Sequence, residues 1–351
     1  MRALAVMLVV VAHAGMGDIV PGGSGVTIFF GISGFIITYL LLKENTRTGT
    51  FDIKAFYTRR VLKILPPLIA VVVIPTLALG LVEPIEWNPL LGIIFFYYNW
   101  LRVNGVFPQL TGSEVVWSLS IEEQFYVAFA IIWFAALKFR LGAKWIAAGV
   151  FATALFSLGT RILLVASAST GAIDEDRIYY GSDTRMEAIA LGVLTAFAFY
   201  HSPGQPSRWS ATRTFVRACQ TDLAFILAIL MFTASLVLRN EWFRYTFRFS
   251  IQSFVACVII IYGFGTQSTA IRRAFDSAVR MRIVQFIGLS SYSIYLTHLI
   301  VMSYAIPTIG HLAPLVRVPL LTVLGTLSGF VIYLAVERPV QSWRNRTKAL
   351  P

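Results

Sequence analysis

The sequence has few charged residues and almost no cysteine. Only 13% of its 351 residues are charged and only two are cysteines, whereas 57% are hydrophobic. An ordinary globular chain carries about twice that charged fraction, and so much apolar surface cannot be buried inside a soluble chain of this length. These values exclude a typical cytosolic enzyme, a disordered protein and a disulfide-rich secreted scaffold.

Motifs that would indicate other classes of protein are also missing. The first apolar run lacks a long basic leader and a small-residue cleavage site, so we expect no cleavable signal peptide. We predict no metal site, because the histidines have no metal-ligand spacing; they are His13, His201, His298 and His311. The sequence contains no G-x-S-x-G nucleophile motif and no internal repeat.

Basic residues outnumber acidic ones by 29 to 17, which gives a formal net charge of +12. Such an excess can indicate nucleic-acid binding. Here the basic residues lie in short segments between apolar runs, which is typical of the cytoplasmic loops of a membrane protein. We therefore predict a membrane protein with no nucleic-acid partner.

The apolar runs are long enough to cross a bilayer, whose hydrocarbon core, about 30 Å thick, needs roughly 20 apolar residues per helix. Candidate spans lie at roughly 3–20, 24–42, 65–82, 121–137, 145–166, 186–200, 221–238, 250–265, 284–304 and 315–336. The basic loops and the acidic loops fall on opposite sides of the membrane only if a shorter apolar run at 89–100 does not cross it. Residues 89–116 are therefore predicted as a re-entrant segment.

The predicted fold class is all-α, a polytopic membrane helix bundle of about ten full transmembrane helices plus one re-entrant segment. Both termini are expected in the cytoplasm, where the basic loops would lie. No loop is long enough for a soluble domain, so residues 1–351 are predicted to form a single transmembrane domain.

Residues 51–64 mix apolar and basic side chains, which predicts a basic amphipathic helix in the inner interface. Its cations include Arg59, Arg60 and Lys63. One interpretation is an anchor that holds anionic lipid. The other is a site for a phosphorylated ligand, because clustered Arg and Lys side chains bind phosphate oxygens.

Arg2 and His13 stand eleven residues apart on the first predicted span. At 1.5 Å and 100° per residue, they are about 16 Å apart on nearly the same helix face. His13 then lies near the bilayer midplane, where an ionisable residue is a functional candidate. The alternative is a neutral histidine hydrogen-bonded between helices.

Six motif segments follow one another along almost the whole chain: MRALAVMLVVVAHAG with GVTIFFGISGFIITYLLLKE, FYTRRVLKILP, WSLSIEEQFY, YYGSDTRMEAIALG, LSSYSIYLTH and VERP. Together they resemble acyltransferase family 3. The resemblance implies transfer of an acyl group, usually acetyl from cytoplasmic acetyl-CoA, to hydroxyls of cell-surface glycans, lipids or secondary metabolites. It also implies a location in the inner (cytoplasmic) membrane of a bacterium.

Two features depart from the family pattern. Family members carry a longer segment before the first Arg, which is the second residue here. The family's Arg-x-x-Arg is Arg60-x-x-Lys63, and a Lys lacks the bidentate fork of an Arg.

The resemblance gives several residues expected roles. His13 is expected to be the general base that takes the proton of the acceptor hydroxyl. Arg59, Arg60 and Lys63, together with Arg2, are expected to bind the phosphates of acetyl-CoA, the acyl donor. Without a nucleophile motif, direct transfer is favoured over a covalent acyl-enzyme.

The segment WSLSIEEQFY supplies further candidates. Ser120-x-x-Glu123 has capping-box spacing, so Glu123 has a structural alternative to its role in substrate binding. Glu122 is the second catalytic candidate, and its alternative is a solvated carboxylate at the interface. Trp117 and Tyr126 are candidate substrate contacts or members of the aromatic belt.

Three more residues are candidates for binding the acceptor. Asp183 and Arg185 either pair with each other or face the acceptor at the outer mouth. His298 is the third, and its alternative is a histidine that Tyr292 or Tyr295 satisfies.

The favoured function is a membrane O-acyltransferase. Its expected partners are membrane lipid, acyl-CoA, a glycan or secondary-metabolite acceptor, and an extracytoplasmic partner protein that could complete the transfer. A transporter or flippase of a polyanionic or lipid-linked substrate would have a similar composition, although no inverted repeat supports it. A non-catalytic scaffold would leave a midplane histidine without a role.

Overall fold

The computed structural model describes residues 1–49, 52–139, 141–168, 172–200 and 210–347. This part of the chain is predominantly helical and contains no strand. A helix satisfies its backbone hydrogen bonds internally, which is why apolar segments that cross lipid fold this way. The predicted helical class is confirmed.

The described residues form helices of very different lengths. In chain order, the first nine are α1 (Arg2–Val11), α2 (Gly22–Thr48), α3 (Ile53–Leu68), α4 (Ile74–Leu79), α5 (Trp87–Ile94), α6 (Tyr98–Val103), α7 (Trp117–Lys138), α8 (Ala143–Ser167) and α9 (Glu175–Tyr180). The next five are α10 (Ser182–Tyr200), α11 (Ser210–Cys219), α12 (Asp222–Val237), α13 (Glu241–Tyr245) and α14 (Phe247–Tyr262). The last five are α15 (Ala270–Arg280), α16 (Arg282–Leu289), α17 (Ser291–Ile309), α18 (Pro314–Ile332) and α19 (Arg338–Thr347). Tighter or wider turns adjoin some of them: π-helical turns at Ala12–Met16, Ile69–Val73 and Tyr333–Glu337, and a 3₁₀ turn at Ser113–Val116.

Among the described residues, 6 helical runs are long and apolar enough to cross a membrane. They are Gly22–Thr48, Ile53–Leu79, Ser113–Ala136, Ala143–Ser167, Ser291–Ile309 and Pro314–Arg344. A seventh would combine Thr212–Cys219 with Asp222–Val237, which are bent by 75° at their break. The protein is therefore a membrane protein by the length and composition of its helices, whereas about ten crossings and cytoplasmic termini stay predictions.

One predicted boundary is wrong. The amphipathic helix at 51–64 and the span at 65–82 form one continuous helical run, Ile53–Leu79. Pro66 and Pro67 lie inside it, where each removes a backbone N–H. The π-helical turn that follows carries the helix past them. The basic residues therefore lie on the first turns of a candidate span and not on a separate surface helix.

Two other predicted segments are divided. The span at 284–304 consists of α16 and α17, because the backbone of Ser290 leaves helical geometry between them. The run at 89–116 contains α5 and α6, of 8 and 6 residues, separated by a bend at which Phe96 has a φ of 58°. At 1.5 Å per residue these helices reach only about 12 Å, so they fit a segment that does not cross.

The chain divides into two compact units. The first unit contains Met1, Thr27–Phe51 and Ile121–Met281, and the second contains Arg2–Val26, Asp52–Ser120 and Arg282–Pro351. The single domain expected at 1–351 stays a prediction.

In the second unit, α17 packs extensively against α18, and α1 packs against α16 and α17. Glycine allows the close approach of α18, as small residues do between membrane helices. A Cβ at Gly325 would lie 3.0 Å from the Cβ of His298, and a Cβ at Gly329 would overlap the backbone of Ile294. Consequently α17 lies at the centre of this unit.

In the first unit, α8 packs against α10, and both α10 and α12 pack against α14. A buried ionic network joins three of these helices. Arg161 of α8 has no exposed surface and donates to Glu187 of α10 and Ser250 of α14. It also donates to the carbonyl oxygens of Thr184 and Thr246 at 2.6 and 3.0 Å. The network satisfies a charged residue that lies inside an apolar run.

Candidate active site

The first turns of α17 carry a row of polar side chains, each of which contacts a different part of the second unit. The contacts are Ser291 with Arg2, Tyr292 with the carbonyl oxygen of Ile64, Ser293 with Glu337, Tyr295 with Ser118, and His298 with His13. The distances lie between 2.6 and 3.0 Å. Within the second unit, one helix therefore holds α1, α3, the first turn of α7 and the C-terminal helical run around a common line of polar groups.

His13 and His298, both predicted site residues, are in direct contact. Nδ1 of His13 lies 2.9 Å from Nε2 of His298, and the two rings stack with their centroids 5.1 Å apart. His298 is fully buried, and its Nδ1 lies 3.1 Å from the carbonyl oxygen of Ile294. His13 is exposed. An accessible imidazole held by a buried one is suited to exchange a proton with a ligand.

The helix geometry around His13 differs from the prediction. The α-helix ends at Val11, and His13 lies in the π-helical turn Ala12–Met16, where Gly15 has a φ of 112°. A π-helical turn bonds i to i+5, so 100° per residue does not apply beyond Val11. Arg2 and His13 nevertheless face the same neighbour, because both contact α17.

Lys63 is held by a buried carboxylate. Its Nζ lies 3.9 Å from Glu337, while Lys63 keeps 36% of its side chain exposed. Glu337 also accepts hydrogen bonds from Ser293 at 2.6 Å and Gln341 at 2.9 Å. These bonds fix the carboxylate, which lies within ion-pair distance of the ammonium group of Lys63.

Other cations surround Lys63. Arg2, Arg60 and Arg344 all act electrostatically on it. Arg59 and Arg60 precede Lys63 by one helical turn, at the spacings that bring side chains together on a helix surface, and both are half-buried. The second unit thus gathers the four predicted coenzyme-binding cations, with positive charge in excess of the single carboxylate.

The capping box predicted at Ser120-x-x-Glu123 is not formed. The helix already begins at Trp117, so both residues lie inside it and both are buried. Trp117 is buried too, as is Tyr126, which argues against the aromatic-belt alternative for these two residues. Their contact with substrate stays a prediction, as does that of Glu123.

Glu122 lies in the first unit and is half-buried. Its carboxylate accepts hydrogen bonds from Ser33 and from Tyr126, both at 3.2 Å. These contacts make Glu122 a polar partner between α2 and α7. Its catalytic role stays a prediction.

Asp183 and Arg185 have separate partners in the first unit. Arg177 donates to the two carboxylate oxygens of Asp183 at 2.7 and 2.5 Å, and this hydrogen bonding raises the pKa of Arg177. Arg185 is buried, donates to Thr27 at 3.2 Å and lies 4.1 Å from the ring centroid of Phe249. The partner of Asp183 is thus a residue that the sequence pattern did not indicate, and binding of the acceptor by either residue stays a prediction.

A family model described as an acyltransferase domain matches residues 1–334. The chain belongs to acyltransferase family 3. It is 31% identical over 320 residues to a Staphylococcus aureus strain COL protein named "Putative O-acetyltransferase", a match that covers 87% of this chain and 50% of that protein. It is also 31% identical over 307 residues to O-acetyltransferase OatA of S. aureus strain NCTC 8325, and this match covers 85% of this chain and 49% of OatA. The chain thus spans about half the length of these relatives, and no solved structure matches it significantly.

In this member of acyltransferase family 3, the sequence did not indicate which partners the hydroxyl groups of α17 bind. Ser291, Ser293 and Tyr295 hold Arg2, Glu337 and Ser118. The signal was present, because "LSSYSIYLTH" is unusually rich in hydroxyl groups for a membrane helix. Polar residues on such a helix are expected to hydrogen-bond to neighbouring helices.

Proposed function

We propose that this protein is a membrane O-acetyltransferase that transfers the acetyl group of acetyl-CoA to a hydroxyl of an acceptor. The observation that supports this most directly is the contact between His13 and His298, which presents an accessible imidazole. The same helix that holds this imidazole also binds the guanidinium group of Arg2 near its start. The relatives named as O-acetyltransferases add support along most of the chain.

Arg2, Arg59, Arg60 and Lys63 are the proposed binding residues for the phosphates of coenzyme A. They fit such a ligand, because an excess of cations next to one buried carboxylate attracts a polyanion. The guanidinium groups can bind phosphate oxygens in pairs, and Lys63 can act as a point charge. Arg2 and His13 are about 16 Å apart along their helix, a distance that an extended pantetheine arm can bridge.

His13 is proposed to act as the general base. Its imidazole takes the proton of the acceptor hydroxyl while the hydroxyl oxygen forms a bond to the thioester carbonyl carbon. The carbon–sulfur bond then breaks, and the thiolate that leaves receives the proton back from His13. The products are an acetyl ester and free coenzyme A, so the proton and the acyl group are both accounted for.

The proposed acceptor is a hydroxyl of a glycan or of a related secondary metabolite, delivered at the outer face or on a lipid carrier. We place the protein in the inner membrane of a bacterium, with lipid around the helices. For an acceptor on the cell surface, the proposal includes an extracytoplasmic partner protein. Crosslinking in native membranes would detect such a partner.

The test is the release of coenzyme A thiol from acetyl-CoA by purified protein in nanodiscs, with and without a hydroxyl acceptor. His13→Ala should lower the acceptor-dependent rate by about 10² to 10⁴-fold, the usual loss when a general base is removed. Binding of acetyl-CoA should persist. His311→Ala is the matched control, because His311 is exposed and follows the end of α17; its rate should equal that of wild type.

Each other outcome has a definite meaning. Turnover within a few-fold of wild type in His13→Ala would disprove the general-base role. Loss of acetyl-CoA binding in that variant would make His13 a binding residue, and Glu122 would become the next candidate base. A wild-type protein that moves a lipid-linked or polyanionic substrate without releasing thiol would be a transporter.

A further inference from the structure

We propose that His298 is a positioning residue that fixes the tautomer of His13 and thereby leaves Nε2 of His13 free to accept a proton. This inference rests on the proposed role of His13 as the base, and it replaces the predicted role of His298 in binding substrate. The ring of His298 is fully buried, and both of its nitrogen atoms are engaged within the protein.

The carbonyl group of Ile294 determines which ring nitrogen of each histidine carries the hydrogen. A carbonyl oxygen can only accept a hydrogen bond, so Nδ1 of His298, 3.1 Å away, carries the hydrogen. In a neutral imidazole the second nitrogen is then an acceptor. Nε2 of His298 therefore accepts, and Nδ1 of His13 donates across the 2.9 Å contact.

The same rule determines the state of His13. With its hydrogen on Nδ1, neutral His13 has a lone pair on Nε2, which is the atom that a base needs. The reverse order would place two acceptors, Nδ1 of His298 and the oxygen of Ile294, against each other at 3.1 Å. A charged His298 would be buried among backbone carbonyl groups and a second imidazole, which is costly without a carboxylate.

The ring of His298 is also restricted by its packing. The close approach of α18 leaves no room for a Cβ at Gly325, which would lie 3.0 Å from the Cβ of His298 and 2.9 Å from the side chain of Met302. The ring of Tyr295 lies 5.8 Å from that of His298 on another side. A ring held in this way can orient its hydrogen-bond partner.

The contact becomes stronger as the reaction proceeds. When Nε2 of His13 takes the proton, the ring becomes cationic, and its Nδ1–H bond to His298 becomes a charge-assisted hydrogen bond. An interaction that strengthens toward the transition state raises kcat more than it affects binding of the donor. His298 should therefore influence turnover and leave acetyl-CoA affinity unchanged.

Two substitutions of similar polarity separate positioning from mere packing. The side-chain oxygen of Gln reaches about as far as Nε2 of a histidine, whereas that of Asn stops near the position of Nδ1. His298→Gln should keep kcat within a few-fold of wild type. His298→Asn should lower kcat by about 10 to 100-fold, as does the removal of a group that orients a metal-binding histidine, with an unchanged acetyl-CoA Kd. Equal kcat values for the two variants would overturn the proposal.

A measurement on the unsubstituted chain does not depend on how the variants fold. Nitrogen-15 NMR of protein labelled at its four histidines distinguishes a protonated from a bare ring nitrogen, and His13→Gln identifies the signals of His13. We expect a protonated Nδ1 and a bare Nε2 at His13. The opposite tautomer would overturn the positioning role even if His13→Ala is inactive, whereas an active His13→Ala protein would instead overturn the proposed base.

Discussion

Arg161 offers a sharp test of the packing in the first unit. The substitution Arg161→Met keeps an unbranched side chain of similar length and removes the guanidinium group. Glu187 now accepts hydrogen bonds from Arg161 and Ser250, and it would keep only the bond from Ser250. Since Arg161 has no exposed surface and Glu187 is buried, water cannot replace the lost bonds without opening the helices.

The expected loss of unfolding free energy follows from the burial of the Arg161–Glu187 pair. Breaking a buried ion pair by removing one partner costs about 3–5 kcal/mol, which changes the unfolding equilibrium by about 10² to 10⁴-fold. The exposed fractions of Arg177 and Asp183 are 22% and 24%, so Arg177→Met should cost only about 0–1 kcal/mol. Reversible unfolding in mixed micelles with increasing sodium dodecyl sulfate would measure both values.

The double variant Arg161→Met, Glu187→Met, together with the two single variants, forms a double-mutant cycle that measures the coupling between the two residues. Because it removes both charges together, it should be less destabilised than the sum of the two single variants by about 1 kcal/mol or more. A loss below about 1 kcal/mol in Arg161→Met, or strict additivity in the double variant, would refute the assignment of this network as a buried, coupled ion pair.

Two further predictions concern the donor and the topology. Arg60→Ala should weaken acetyl-CoA binding measured by calorimetry, with smaller losses for Arg59→Ala and Lys63→Ala, and added salt should weaken it further. Lys144→Ala, at an exposed cation of the first unit, is the control. An unchanged acetyl-CoA affinity in a variant that combines all three substitutions would disprove the proposed role of these cations. A reporter fused after Arg60 or at the C-terminus should report cytoplasm, and one within 172–177 should report the outside. A C-terminus outside would contradict the even number of crossings.

The sequence predicted well whatever depends on local composition. Apolar runs and basic loops predict a helical membrane protein, and ordered motifs indicate the family, which the match over residues 1–334 confirms. Boundaries were less predictable. Pro66 and Pro67 would normally end a helix, yet a π-helical turn lets the run continue to Leu79.

Pairings across the chain could not be predicted from spacing. His13 and His298 were both candidates by residue type, but they are separated by 285 positions, and only the packing of α1 against α17 brings them together. Arg161 was missed for a related reason. A single charge in an apolar run looks like an ordinary part of a span until a partner on another helix is known, and its partner, Glu187, lies 26 positions away.

The arrangement of α17 and α18 suits a site in which the phosphates of the donor bind at one end and its thioester reacts at the other. The start of α17 holds Arg2 and, through Ser293, the carboxylate that forms an ion pair with Lys63. Two turns later the same helix holds His13 through His298. Close contact at Gly325 and Gly329 joins α17 to α18, the helix that leads directly into the turn containing Glu337. The proposed donor-binding cations and the proposed base are therefore held by the same pair of closely packed helices. Such a support would keep a thioester in register with His13 once its phosphates are bound, because precise placement of the reacting groups requires a rigid scaffold.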